Sequence, residues 1–171
     1  MIVNIDVYLF RLVNSGLSCG FLDKFMPILT NVENWLIVYV ILFVWLLWKG
    51  GRDGRILAAV LIATVIISDQ LNSEIFKSMF DRLRPCAALE DVNVLVSCGK
   101  GRSFPSSHAV NNFASAVVLG AHFRQYRWIY ISVAAIVSFS RVYVGVHYPM
   151  DIFAGALACI TIGLLMTVIY N

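Results

Sequence analysis

Five continuous apolar runs dominate the chain, near Ile28 to Trp48, Ile56 to Phe76, Ala109 to Phe123, Trp128 to Tyr143 and Ile152 to Tyr170. Their lengths approach the roughly 20 residues that a helix needs to cross a bilayer. Membrane barrel strands instead alternate apolar and polar positions over about ten residues, and these runs do not alternate. The pattern predicts five spanning helices. The third and fourth runs reach spanning length only if helix continues into the polar motifs beside them. The first twenty residues read differently: Asn4, Arg11, Ser15 and Ser18 fall on one helical face among Ile2, Val3, Ile5, Leu9, Leu12 and Val13. That is the pattern of an amphipathic interfacial helix. A cleaved secretory signal fits poorly, because a basic N-terminal region is missing, Asp6 and Arg11 interrupt the apolar stretch, and no small-residue cleavage site stands out.

Composition agrees with a bilayer setting. The 171 residues are 60% hydrophobic and only 13% charged, with a mean hydropathy of +0.80, which excludes an ordinary soluble domain and gives no nucleic-acid footprint. No linker, low-complexity tract or repeat divides the sequence, so residues 1–171 are expected to form one all-α membrane domain, 1–20 interfacial and the rest a polytopic helix bundle.

If five helices cross in turn, the end of the second, the start of the third, the end of the fourth and the start of the fifth emerge on one face. The unusual polar groups sit at those four ends: Lys77 and Arg84-Pro85, then Pro105-Ser106-Ser107-His108, then Ser140-Arg141, then His147 and Asp151. Ionisable groups at membrane depth are costly and mark function. Lys77, Arg84 and Arg141 place three cations near two histidines, and the arginine fork suits phosphate oxygens while lysine supplies a point charge. Backbone N–H groups near Ser106 to His108 add a helix N-terminus aimed at the same anion. Asp151 can accept from one nitrogen of His147 and leave the other free as a nucleophile. His147 and Asp151 also have the spacing of metal ligands, but three neighbouring cations argue against a divalent ion, and neither a metal nor a cofactor is expected. Asp69, Gln70, Asn72 and Glu74 on the second run either support this site or line a polar seam between helices.

In order and spacing, KSMFDRLRP, FPSSHAV and SRVYVGVHYPMD resemble the three signature motifs of the type 2 phosphatidic acid phosphatase superfamily, integral-membrane branch. The resemblance runs from Lys77 to Asp151 and departs at Ser107, where the family usually has glycine. It implies hydrolysis of a lipid phosphate through a phosphohistidine formed on His147, with His108 as general acid and then base. It further implies phosphate binding by Lys77, Arg84, Ser106, Ser107 and Arg141. Within the family the short chain and the basic Lys100-Gly101-Arg102 look most like bacterial lipid A 1-phosphatases. Undecaprenyl pyrophosphate and phosphatidylglycerophosphate are the alternative substrates, and a non-catalytic lipid-binding or transport protein is the alternative class. By resemblance to bacterial members the site faces the periplasm from the inner membrane, since Lys and Arg counts on the two faces do not decide orientation. The expected partners are a lipid phosphate and membrane lipids; the sequence is silent on oligomeric state. On an oxidising face, Cys86 and Cys98 are placed to form a disulfide, leaving Cys19 and Cys159.

Overall fold

The computed structural model describes residues 2–170, with side chains described for 4–168. Ile2 and Val3, assigned above to the apolar face of the first helix, therefore lie outside the described side chains, as does the Tyr170 end of the fifth run. All regular structure among the described residues is helical: α1 (Ile2–Asn14), α2 (Gly20–Thr30), α3 (Val32–Trp48), α4 (Gly51–Gln70), a π-helical turn (Leu71–Phe76), α5 (Lys77–Met79), α6 (Pro85–Ala88), α7 (Ser107–His122), α8 (Arg127–Tyr143) and α9 (Pro149–Tyr170).

Two helical runs are long and apolar enough to cross a membrane on their own, the 29 residues Gly51–Met79 and the 20 residues Pro149–Val168. A third crossing is available if α2 and α3, bent by 52° at Asn31, form one span. The apolar run expected from Ile28 to Trp48 is therefore a broken helix that begins at Gly20. The break has a local cause. Asn31 is extended (φ −80°, ψ 115°) and its side chain accepts from the Glu33 N–H, so it caps α3 and ends α2. The carbonyls released at the end of α2 are each taken up again: Pro27 by the Asn31 N–H at 3.2 Å, Ile28 by Asn34 Nδ2 at 2.9 Å, and Leu29 by Trp35 Nε1 at 2.8 Å. Such re-satisfaction is what permits irregular backbone at membrane depth.

At 16 and 17 residues, α7 and α8 gain their length by running into the polar motifs, with Ser107 and His108 in the first turn of α7 and Arg141 in the last turn of α8. Both are packed against other helices, and α7 lies against α4, α8 and α9. Lipid tails are as apolar as leucine, so helices in a bilayer associate through close packing of small residues. On α7 these are Ala109, Ala114 and Ala116, all buried. On α9 they are Gly155 and Gly163: a Cβ at Gly163 would lie 2.8 Å from Val117 Cβ, and one at Gly155 would lie 2.9 Å from Ala109 Cβ.

α1 shows three faces. Asn4, Arg11 and Ser15 are exposed as the polar stripe requires, and Ile5, Tyr8, Leu9 and Leu12 form an exposed apolar face. Asp6, Phe10 and Asn14, spaced four apart, are buried against the protein. Asn14 holds both strands of the chain it meets, donating from Nδ2 to the Tyr143 carbonyl at 2.7 Å and the Asn93 carbonyl at 2.8 Å.

Gly163→Leu forces a branched side chain into the α7–α9 contact and is expected to cost about 1–3 kcal/mol by overpacking. The check is a lower thermal unfolding midpoint in detergent, with Leu164→Ala on the exposed neighbour as the reference.

Candidate active site

The turn between α8 and α9 is built by glycine. Gly145 has φ +87°, and a Cβ there would lie 2.8 Å from the Asn93 carbonyl oxygen, so this tight reversal admits no side chain. The carbonyl of Arg141 accepts from the N–H groups of Val146 and His147, each at 3.2 Å, and Pro149 then opens α9. Asp151 falls in the first turn of that helix, fully buried, beside a His147 that is 2% exposed. One carboxylate oxygen, Oδ2, accepts from the Tyr148 N–H at 2.8 Å and lies 3.3 Å from His147 Nδ1. The other, Oδ1, accepts from Arg82 Nη1 at 2.8 Å. An acceptor-only carboxylate at Nδ1 puts the ring proton there and leaves the Nε2 lone pair available. Burial pushes His147 down to about 4, with Asp151 pulling the other way, so the ring is neutral at ordinary pH.

Opposite this loop, α7 begins at Ser107. Its N-cap, Ser106, makes no side-chain capping bond, and the Ser106 N–H donates to the Asp151 carbonyl at 3.1 Å. The N–H groups of the first turn of α7 are thus open to an anion, and the helix dipole favours one there. Ser107 Oγ accepts from Lys77 Nζ and from Asn72 Nδ2, both at 2.8 Å. With both lone pairs used, its O–H is the group left to donate. Where the family motif usually has glycine, this chain thus has a hydroxyl that fixes the lysine. Asn72 is fully buried and lies in the π-helical turn that joins α4 to α5. Such turns alter the facing of the residues they carry and recur at functional sites. Asp69, Gln70 and Glu74 are exposed; of the four polar positions on this run, Asn72 bonds directly into the site, and the charge of Asp69 acts on Lys77.

Two arginines approach the same space in different ways. Arg141, 9% exposed, donates from Nη1 to Thr30 Oγ1 at 2.8 Å, while its buried Nε has no protein partner. Thr30 comes from the bend between α2 and α3, and its backbone also faces the His108 ring. Arg84 donates from Nε to the Gly101 carbonyl at 3.0 Å and from Nη1 to the Cys98 carbonyl at 2.9 Å, which leaves Nη2 for a phosphate oxygen. The Cys98 carbonyl is itself held, because Cys86 and Cys98 are disulfide-bonded. Cys19 and Cys159 are free. Arg102 is committed to Asp81 at 2.8 Å and to the Lys77 carbonyl at 2.8 Å, so it braces the lysine segment rather than reaching for a ligand.

All eight candidates from the sequence, Lys77, Arg84, Ser106, Ser107, His108, Arg141, His147 and Asp151, lie around this one space. Sequence reasoning passed over Asp6, Thr30 and Arg82. The four-residue spacing of Asp6, Phe10 and Asn14 was a legible sign for the first, whereas Thr30 and Arg82 carry no local signal. With three cations and an uncapped helix start to hold the oxygens of a phosphate, a neutral histidine can attack its phosphorus.

A family model described as the PAP2 superfamily matches residues 53–171. The chain is 33% identical over 163 residues to a lipid A 4'-phosphatase of Bacteroides thetaiotaomicron, covering 90% of this chain and 72% of that protein. It is 31% identical over 157 residues to an undecaprenyl-diphosphatase of Sulfolobus acidocaldarius, covering 90% and 72%. Among solved structures, Aquifex aeolicus LpxE superposes with a TM-score of 0.74 at 28% identity, covering 95% of this chain and 94% of that one.

The disulfide holds the carbonyl that anchors Arg84. Cys86→Ser with Cys98→Ser, or chemical reduction, is therefore expected to weaken inorganic phosphate binding about tenfold, the order of one charge-assisted hydrogen bond. Calorimetric titration of phosphate into the micellar protein reads this directly.

Proposed function

The chain belongs to the PAP2 superfamily and is a membrane phosphatase acting on lipid phosphates, and from that premise we propose that it removes a phosphate from lipid A through a phosphohistidine on His147. The observation that carries the mechanism is the buried dyad, His147 Nδ1 against Asp151 Oδ2 at 3.3 Å, with the free ring nitrogen directed away from the carboxylate.

In this reading Lys77, Arg84 and Arg141, the Ser107 hydroxyl and the first-turn N–H groups of α7 bind the phosphate oxygens. Ser106 serves through its place at the head of that turn. His147 Nε2 attacks phosphorus, the bond from phosphorus to the lipid oxygen breaks, and His108 delivers a proton to that leaving oxygen. Water then attacks the phosphohistidine while His108 takes its proton, which releases inorganic phosphate and restores His147. The cations neutralise the charge on the transferring group, so the reaction proceeds without a metal ion.

Lipid A is favoured by the relative named as a lipid A 4'-phosphatase and by the exposed Lys100 in the loop before the second motif. The 1-phosphate is the position that the short chain and the basic Lys100-Gly101-Arg102 segment favour, and the name of that relative favours the 4'-phosphate as a second reading. Undecaprenyl pyrophosphate is the next candidate by the diphosphatase relative, followed by phosphatidylglycerophosphate. Residues 1–171 act as one unit in the bacterial inner membrane with the site on the periplasmic side, an orientation that suits a disulfide between Cys86 and Cys98.

Purified protein given lipid A, undecaprenyl pyrophosphate and phosphatidylglycerophosphate should release phosphate fastest from lipid A, and chromatography of the product lipid identifies the position. His147→Ala should abolish release, and His108→Ala should lower it by about 10²- to 10⁴-fold. Orthovanadate should inhibit and a chelator should not; activity lost to chelator and restored by one metal would overturn the metal-free mechanism.

The pH profile offers a separate check. The attacking form is the neutral ring, present above the pKa of His147, so the acid limb of kcat/KM that His147 sets should lie near 4, below the free-imidazole value of about 6.5.

A further inference from the structure

The guanidinium of Arg82 stands outside the phosphate site. Its Nη1 donates to Asp151 Oδ1 at 2.8 Å and its Nη2 pairs with Asp6 Oδ2 at 2.5 Å, so both terminal nitrogens face carboxylates. Asp6 is 2% exposed and Asp151 fully buried. The other oxygen of Asp6 accepts from the Met150 N–H at 2.9 Å, one residue before Asp151. The guanidinium also lies 3.8 Å from the centre of the Tyr148 ring, and that ring meets Phe10 of α1 edge-on at 5.6 Å. A helix whose outer faces are interfacial thus reaches the nucleophile turn through a charge, a backbone bond and an aromatic contact.

Only a planar fork can join two carboxylates in this way, because lysine offers one point charge where arginine offers two directed N–H pairs. The bridge also governs Asp151. Removing the cation would leave a buried carboxylate short of a partner, free to turn and to hold an added proton on His147 more firmly.

We propose that Asp6 and Arg82 are positioning residues, and that the Asp6–Arg82–Asp151 bridge sets the orientation of Asp151 and hence the line of attack of His147, making a docked α1 a condition of turnover. This rests on His147 being the nucleophile. His147 is faced by Asp151 on α9, Arg141 on α8, His108 on α7 and Arg84 before α6, with Arg82 and Asp6 behind Asp151.

The test compares kcat, KM and the acid limb of kcat/KM for the full-length protein in micelles, using whichever lipid phosphate turns over fastest. Arg82→Gln is expected to lower kcat about 10- to 100-fold, the usual scale for a group that orients a reacting one. KM should stay within about threefold, since the residues that hold phosphate are untouched. Its acid limb should move to higher pH, because the freed carboxylate favours a protonated His147. Arg82→Lys keeps the cation and loses the fork, so the acid limb should return while kcat stays low. Asp6→Asn, which can still accept from the Met150 N–H, should lower kcat by a smaller factor at unchanged KM. Wild-type kcat in both Arg82→Lys and Asp6→Asn would overturn the bridge, as would a loss confined to yield and thermal midpoint. His147→Ala separates the two levels: if it still turns over, the nucleophile assignment has failed, and if it is inactive while the Arg82 and Asp6 variants match wild type, the bridge alone has failed.

Discussion

A carboxylate with no solvent access has to be paired on every side, and Asp151, side chain and backbone together, is paired by five groups from three parts of the chain. Its side chain takes His147 and the Tyr148 N–H from the turn and Arg82 from the segment after α5. Its carbonyl takes the Ser106 N–H from the start of α7, and its own N–H reaches the Tyr148 carbonyl. A buried charge left unpaired costs several kcal/mol, so the turn, the α7 N-terminus and the Arg82 segment cannot shift independently. His147 and the start of α7 are thereby held in register by one residue.

The remaining architecture follows from bringing polar chain ends to one place inside an apolar solvent. α7 and α8 are short because their ends are spent on the site, and protein rather than lipid covers much of them. The break at Asn31 serves the same end: by stopping α2 at Thr30 it delivers a hydroxyl to Arg141 at 2.8 Å, while the neighbouring carbonyls find partners within α3. The segment between α5 and α7 has little regular structure, and its order comes from the disulfide, from Arg84 donating to the Gly101 and Cys98 carbonyls, and from Arg102 donating to Asp81 and to the Lys77 carbonyl of α5.

Two kinds of group meet in the site, and they are held differently. The cations around His147 are anchored on uncharged acceptors, Lys77 on Ser107, Arg141 on Thr30 and Arg84 on two carbonyls. No carboxylate takes a hydrogen bond from them among these contacts. Arg82 is the cation anchored on carboxylates, and its charge is spent within the protein. That contrast separates the cations left without a carboxylate partner from Arg82, which lies only two positions from Arg84.

Hydrophobic runs, helical periodicity and three spaced motifs were enough to specify an all-α membrane protein, a shared face for Lys77, Arg84, Ser106, Ser107, His108, Arg141, His147 and Asp151, and the chemistry those residue types permit. Those properties are local or depend on spacing, and helices in lipid have few alternatives. The choice of Asn72 over Asp69, Gln70 and Glu74, the pairing of Thr30 with Arg141, the anchoring of Arg84 on the disulfide loop and the burial of Asp6 were decided by tertiary structure. Each depends on which helix face meets which neighbour at long sequence separation. Asp6 and Asp151 are 145 positions apart in sequence, and only the packed bundle places one arginine between them.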